Sequence, residues 1–528
     1  MSISAMYAGA SGVTAYSTKL GVIGNNLANV NTTAFRGSEV LFQDLFSQYR
    51  TVGQVLSDDT GAAFQVGTGV SVSDIRVCLT QGSILAASTN TDLAIDGKGM
   101  FRVVDPDNST SYYTRAGNFR FDNDGYLVDP NGNVLQGREI NAATGALGST
   151  TNIQLPWEQV VINGQTTMAV VSPATPTQRM NFQYNLDRDE SDHSTDAQDP
   201  FFALAKLWDG TSDTPLAADS YAYSSSITVY DSAGNSHVLN SYFDKVESDD
   251  GTGNVYWEYV VGMDPDEDGG ALTGTSGAGL LLIGTLTFDR NGMLVGQSAY
   301  SYTAGGTEFL SNWTPATFSA DGLPQLSATF LASAAGGAAG GAQNIALNFG
   351  VSSATGAWDN LGSNASSAAS VGLMASGLPD LASLERDAEA TTGYAGSLAT
   401  LSQNQDGYAT GYMVDAEVTT EGFLRASFTN GQEQDLYQIP LYVFTNEYGL
   451  RSEGNNLYTA TSESGAAIEG LPETGARGSI LGASLEGSNV DMAEEMVDMI
   501  LTQRALQANT KVISTADSMI NTAISMKR

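Results

Sequence analysis

Two apolar stripes at opposite ends of the chain constrain its fold more than any other feature. In "LGVIGNNLANVNTTAFRGS", residues 20–38, Leu20, Ile23, Leu27 and Val30 recur at three- and four-residue steps, the spacing of a helix that packs on another helix. Far downstream, after Val490, the positions Val497, Leu501, Ala505, Ala508, Val512, Ala516, Met519, Ala523 and Met526 do the same. Ser488 and Asn489 are placed to cap this second helix, and Asp491, Glu494 and Glu495 fall in its first turn, where the helix dipole favours anions. Lys527 and Arg528 suit its other end. From Val490 to Met526, at about 1.5 Å per residue, the helix would run for roughly 55 Å. The first stripe makes a poorer helix. Gly21 and Gly24 each cost roughly 1 kcal/mol relative to Ala, and Asn25, Asn26, Asn29 and Asn31 compete for the backbone with their side chains. Such a helix needs a partner, and the downstream stripe supplies one. The ordinary outcome of that match is a two-helix hairpin inside one chain.

Between the stripes the hydrophobic period falls to two, broken by turn residues. Leu93 and Ile95 precede "DGKG", Phe119 and Phe121 precede "DNDG", and "DPNGN" follows at 129–133, all read as hairpins. The texture returns late in the chain. Val414, Ala416 and Val418 lead to "TTEG", Leu424, Ala426 and Phe428 lead to "TNGQ", and Tyr437, Ile439, Leu441 and Val443 form a further strand. The middle is strand-like around "SSITVYDSAGNSHVLNSYF" and "GTLTFDRNGML", with Ala/Gly/Ser-rich stretches near 331–342 and 351–376 that read as joins. The expected fold is mainly β with α-helical termini, built from nested discontinuous domains. Segments 1–32 and 489–528 pair as helices, and 33–70 connects. Segments 71–152 and 401–488 form one discontinuous β-rich domain, and 153–400 is one or two inserted outer β domains.

Composition excludes whole classes of function. With 58 acidic against 22 basic residues and a net charge of -36, nucleic acid and anionic lipid are poor partners. No run of about 18 apolar residues suits membrane insertion, and the N-terminus lacks the basic and apolar regions of a cleaved signal peptide. A single cysteine, Cys78, rules out an internal disulfide and reads as a small core residue. Of the two histidines, His237 reads as structural and His193 as exposed. "DPDEDGG", 264–270, has the alternating carboxylates of a calcium loop, but its twelfth position is Thr275, so it reads as an acidic turn. No G-x-S-x-G, H-E-x-x-H or G-x-x-x-x-G-K-[ST] occurs, so neither catalysis nor a cofactor is expected.

Several stretches carry a specific resemblance. "GNNLANVNTTAFRGS", "TDLAIDGKGMFRVV", "YYTRAGNFRFDNDGYLVDPNGNVLQG", "VYDSAGNSHVL" and the long segment 405–465 resemble the bacterial flagellar hook proteins. "GSNVDMAEEMVDMILTQRALQANTKVISTADSMI" is similar to the terminal helix shared by flagellar rod and hook proteins. Ala34 departs from the pattern, which usually has Gly before the aromatic and basic pair, here Phe35 and Arg36. The resemblance implies a structural subunit that polymerises into the curved tube joining rod to filament. It implies export through the flagellum's own apparatus without a cleaved signal peptide. The implied partners are copies of itself and other axial proteins of the rod, the hook cap and the hook-filament junction. It further implies that the terminal helices form a coiled coil lining the inner tube, with Leu20, Ile23, Leu27 and Val30 facing the stripe of Leu501, Ala508, Val512 and Met519. A distal rod protein shares these ends but normally lacks the large middle, and a secreted acidic surface protein would leave the helical ends without a purpose.

Overall fold

A computed structural model describes residues 2–46, 48–51, 63–141, 144–162, 164–248, 251–302, 310–331, 340–359 and 366–526. Lys527 and Arg528, most of the 331–342 stretch, part of 351–376 and part of 33–70 lie outside them. Helix α1 spans Ser2–Ala28, α2 spans Ala203–Leu207 and α3 spans Met492–Ser525; strands make up most of the rest. The chain divides into two compact units, residues 2–171 with 412–526, and residues 172–411.

In the first unit a 13-stranded sheet draws on both of its segments. Arg138 pairs with Gln438 and Tyr113 with Tyr458, while in smaller sheets Ile95 pairs with Ile480 and Leu85 with Leu485. Each segment therefore leaves its edges open without the other. Phe101, Phe119, Leu127, Leu135, Leu424, Ile439 and Ile480 share one core. The strands Trp157–Ile162 and Gln165–Ser172 extend this sheet, so the boundaries expected at 152/153 and 400/401 move to 171/172 and 411/412.

Local chemistry explains where strand patterns misled. "DGKG" does not join a hairpin, because Leu93–Asp96 pairs with Ser479–Gly482 instead of turning back on itself. The run through Tyr437 and Val443 is two strands, Glu433–Gln438 and Leu441–Val443, separated at Pro440, which has no N–H to continue a ladder. Between Met413 and Asp415 the register shifts, and this bulge leaves Val414 exposed instead of facing inward with Ala416 and Val418. The turns share one device. In "DNDG", "DPNGN", "DSAGN" and "DRNGM" an Asp Oδ1 accepts from the backbone N–H groups two and four residues on. This fixes the turn without a partner from elsewhere. Ala34 has φ 56°, the left-handed region where the family's usual Gly would sit without a steric penalty.

The second unit holds a six-stranded antiparallel sheet running in chain order from Tyr223–Tyr230 to Trp313–Pro315, and a four-stranded sheet centred on Arg179–Asn185 and Gln343–Asn348. One face of the larger sheet shares a core with the smaller, through Phe182, Tyr184, Phe243, Trp257, Tyr259 and Phe349. The other is covered by Phe201, Phe202, Leu204, Trp208 and Trp313. The strand Val255–Met263 is buried on both sides, which is why its sequence alternates so little. The carboxylates of 264–270 point apart: Glu267 meets His237 at 2.9 Å, and Asp268 accepts from Gly270 and Gly279. They form a capped turn.

The Asp turns yield a contrast that a stability measurement resolves. Asp129 is buried and holds two backbone N–H groups, whereas Asp289 makes the same bonds half-buried, nearer the surface. Asp129→Ala is expected to lower unfolding free energy by about 2–3 kcal/mol, because buried donors are left unpaired, and Asp289→Ala by less than about 1 kcal/mol. Urea denaturation of the two variants checks this; equal losses would mean burial does not govern the turn.

Candidate functional site

Helices α1 and α3 pack antiparallel along a narrow seam. Lys19 Nζ lies 2.9 Å from Asp498, and Asn26 Nδ2 donates to Glu495 at 2.8 Å. At the opposite end of the seam, a Cβ added to Gly9 would come within 2.9 Å of Ile513, and one added to Gly12 within 2.8 Å of the Asn509 amide. The buried positions are small or polar but for Ile23: Gly9, Gly12, Ala15 and Asn26 on α1, and Thr502 and Ala516 on α3. Close backbone approach replaces side-chain bulk here, so each position removes little apolar area from water.

The stripes expected from the sequence are only partly brought together. Ile23 is buried in the seam, Leu20 and Leu27 are half-buried, and Val30 lies past the end of α1 in a turn. On α3, Ala516 faces α1 and Ala505 is half-buried. Most of the larger members turn away, Val497 and Leu501 each 57% exposed and Met519 54%, while Val512, 44% exposed, flanks the seam beside Gly9. Ala508 and Ala523 are exposed too. The seam thus runs through Glu495, Asp498, Thr502, Ala505, Asn509, Ile513 and Ala516. The apolar stripe read from the sequence lies mainly on the outer face, joined there by Met496 and Ile500. Polar seam residues hid the true packing face. The signal that could have found it is the spacing of Gly9, Gly12 and Ala15, small residues at three-residue steps. Gly21 and Gly24 meet nothing within 4 Å when a Cβ is added, so nothing in this chain requires glycine there.

Both helices are anchored where the two ends of the chain meet. Glu486 is fully buried between Arg36 and Arg115, its Oε1 2.8 Å from Arg36 Nη2 and its Oε2 2.9 Å from Arg115 Nε. Oε1 also accepts from the Gly82 N–H at 2.9 Å, and the Glu486 carbonyl accepts from the Ala34 N–H at 2.8 Å. Arg115 donates further to the carbonyls of Ile95, Gly97 and Gly99, and Arg36 to that of Thr80. Burial lowers the pKa of Arg115, with the Glu486 charge acting against that shift. Three residues on, Asn489 accepts from the Gly37 N–H at 2.8 Å and donates to the carbonyls of Cys78 and Thr80. Asn489 is therefore a clasp and not the helix cap expected of it. The cap is Asp491, which accepts from the N–H groups of Ala493 and Glu494, while Ser488 Oγ accepts from Val490. Asn26 completes the anchor, its amide exchanging hydrogen bonds with the Ser38 backbone at 2.8 and 2.9 Å. Burial raises the carboxyl of Glu495 beside it, and also the half-buried Cys78 thiol near Glu39. The sequence reading missed this cluster. Its trace is a glycine close after each ion, at Gly37, Gly117 and Gly487: a Cβ is excluded at Gly117 by the Leu93 backbone and would be tight at the other two.

Nothing in this site is arranged for bond chemistry. Among the described residues no group of three or more His, Cys, Asp or Glu is placed to hold a metal ion, and no helix is long and apolar enough to cross a membrane. What the site offers is a helix pair with one uncovered apolar face, held by a buried ion cluster.

Comparison with known proteins agrees along the chain. Family models match as "Flagella basal body rod protein" at residues 6–36, "Flagellar hook protein FlgE/F/G D1 domain" at 94–171, "Flagellar basal body protein FlaE D2 domain" at 203–408 and "Flagellar basal body rod FlgEFG protein C-terminal" at 482–526. The flagellar hook protein FlgE of Treponema pallidum is 29% identical, with 99% of each chain covered. That of Escherichia coli is also 29% identical, with 98% of each covered. A solved structure of the Helicobacter pylori hook protein FlgE2 aligns with 75% of this chain and 98% of its own, at 15% identity and a TM-score of 0.39.

The ion cluster carries its own test. Glu486→Gln keeps the shape but leaves two buried guanidinium groups without a counter-charge, and should lower the unfolding free energy by about 3–5 kcal/mol. Urea denaturation with hydrogen exchange read at 479–486 measures it. A loss below about 1 kcal/mol would show that the charges do not hold the ends together.

Proposed function

The chain belongs to the flagellar rod and hook family, and from that premise we propose that it is the structural subunit of a flagellar hook, polymerising into the flexible tube that transmits torque from rod to filament. The observation that carries this reading is the outer face of α3. Val497, Leu501 and Met519 form an exposed apolar stripe, with Val512 at its edge beside Gly9, on a long helix whose own partner, α1, packs mainly elsewhere on it. A stripe of this kind on a polar, highly charged chain marks an interface. In a helical polymer each copy would present α1 and α3 to its neighbours, which would cover both the stripe and the open side of α1 at Gly21 and Gly24.

The hook reading is supported over a distal rod protein by relatives named as hook proteins that align along nearly the full chain, middle unit included. A secreted acidic surface protein would have no use for the paired ends. Location in the flagellum follows from the family. Passage through the flagellar export apparatus without a cleaved signal, and contact with rod, cap and junction proteins, complete the proposal. Here the helix pair suits the route. A seam of Gly, Ala, Thr and Asn stores little apolar free energy, so the ends unfold readily for transport and become fully ordered only when neighbours bury them.

Two measurements test the assembly role. Leu501→Asp and Met519→Asp place a charge on the uncovered stripe and should leave the monomer's melting unchanged. They should abolish polymerisation, since an unpaired charge in a dry interface costs several kcal/mol. Electron microscopy of concentrated protein, seeded with hook fragments, reads the outcome. Limited proteolysis should remove α1 and α3 before the β units, and the trimmed protein should form no tubes under conditions where the full chain does. Tubes from the Asp variants or the trimmed form would refute the role of this face.

A further inference from the structure

Asp244 and Glu258 stand directly opposite each other on the paired strands Ser236–Val246 and Val255–Met263, and both are completely buried. Two carboxylates so placed cannot both be ionised without a large penalty. Their hydrogen bonds show how the pair is resolved. Asp244 Oδ2 accepts from the backbone N–H groups of His193 at 2.9 Å and Ser194 at 2.7 Å, and its Oδ1 lies 3.1 Å from His193 Nδ1. Glu258 Oε2 accepts from the N–H of Leu204 at 3.0 Å. Between the two stands Ser194 Oγ, 2.7 Å from Asp244 Oδ2 and 2.6 Å from Glu258 Oε1.

A hydroxyl has one hydrogen to give. It can serve one of these oxygens, and the second contact is a hydrogen bond only if the carboxyl supplies the hydrogen itself. Asp244 already accepts two amide N–H bonds and stands beside an imidazole, so the hydrogen of Ser194 goes to it and Glu258 supplies its own. The chain of donation runs from Glu258 Oε1–H to Ser194 Oγ, and from Ser194 Oγ–H to Asp244. We propose that Glu258 is a carboxylic acid at neutral pH and that its proton is a latch, holding the segment 192–204 against the sheet. That segment ends in Phe201, Phe202 and Leu204, which cover the sheet's outer core, so releasing Ser194 would uncover them.

Among the described residues, none of those around Glu258 offers it a counter-charge. The strand beyond it presents Thr285, and the covering segment brings Asp192, whose carboxyl accepts from Glu247 N–H, and His193, which is turned to Asp244. Lys245 donates to the Glu190 carbonyl, and Lys206 pairs with Asp196 and Asp199. Burial raises the Glu258 carboxyl well above its ordinary value, and the charges of Asp244 and Asp192 push the same way. Folded protein keeps a proton that the unfolded chain releases, so this group's contribution is full below the ordinary carboxyl range and is lost as pH rises above it. Each pH unit in that window multiplies the unfolding constant of this unit about tenfold.

The test uses the full chain and Glu258→Gln, whose amide supplies the same donor without an ionisable proton. At pH 7 the folded wild type should show the infrared C=O band of a carboxylic acid that the variant lacks. Between pH 5 and 8 the urea-unfolding constant, followed by hydrogen exchange at 255–263, should rise more steeply in the wild type by about tenfold per unit. Equal bands, or parallel pH profiles, would overturn the latch. If Glu258→Gln fails to fold, wild type decides together with Asp380→Asn, which removes a second carboxyl of this unit that burial raises. An acid band in both that disappears on unfolding supports the proposal, and its absence from the folded wild type refutes it.

Discussion

One buried ion cluster holds this molecule's two ends in register. Arg36 lies just past the first helix, Arg115 at the end of a central strand, and Glu486 just before the last helix, and the three meet where water is excluded. Taking three charges out of water is expensive, and the cluster is tolerable because Glu486 meets both guanidinium groups and four backbone carbonyls take further guanidinium hydrogens. A hydrophobic plug could fill the same space, but it would not fix direction. Held through both oxygens, one by each arginine, Glu486 sets the segment before α3 against the segment after α1, and Asn489 and Asn26 extend that register into the last turn of α1 and the first turn of α3.

With its root fixed, the helix pair needs little cohesion of its own. Gly9, Gly12, Ala15 and Thr502 let the backbones approach closely and leave most large apolar side chains of α3 pointing outward. This division of labour is the physical core of the functional reading. An intramolecular seam built from Leu and Val would make a stable hairpin with no reason to associate. A seam of small and polar residues leaves the hydrophobic gain to be collected between copies, so that ordering the helices and assembling the tube become one coupled process.

How much of this was legible in the sequence varies with the kind of signal. The helices were visible because only a helix keeps an apolar stripe in line over so many turns, and the Asp-Gly turns were visible because their bonds are local. Which face of α3 meets α1 was not visible. Pattern reading assigns apolar residues to the nearest partner, and here Leu501 and Met519 stay exposed while Thr502 and Asn509 do the internal packing. The ion cluster was invisible for another reason: its members are far apart in sequence and look like ordinary surface charges until the fold buries them. Val414 and Pro440 show the same limit locally, since one bulge or one missing N–H redirects a strand whose alternation is otherwise sound.

Helix α3, on this account, is half-buried by its own chain and completed by its neighbours. Hydrogen exchange over 492–525, compared between monomer and assembled tube, addresses that claim most directly. The expected result is amides that exchange quickly in the monomer and are protected by orders of magnitude in the tube, with the β-sheet segments 93–140 and 423–443 nearly unchanged. Equal protection of 492–525 in the two states would contradict it, because the helix would then owe its order to its own chain alone.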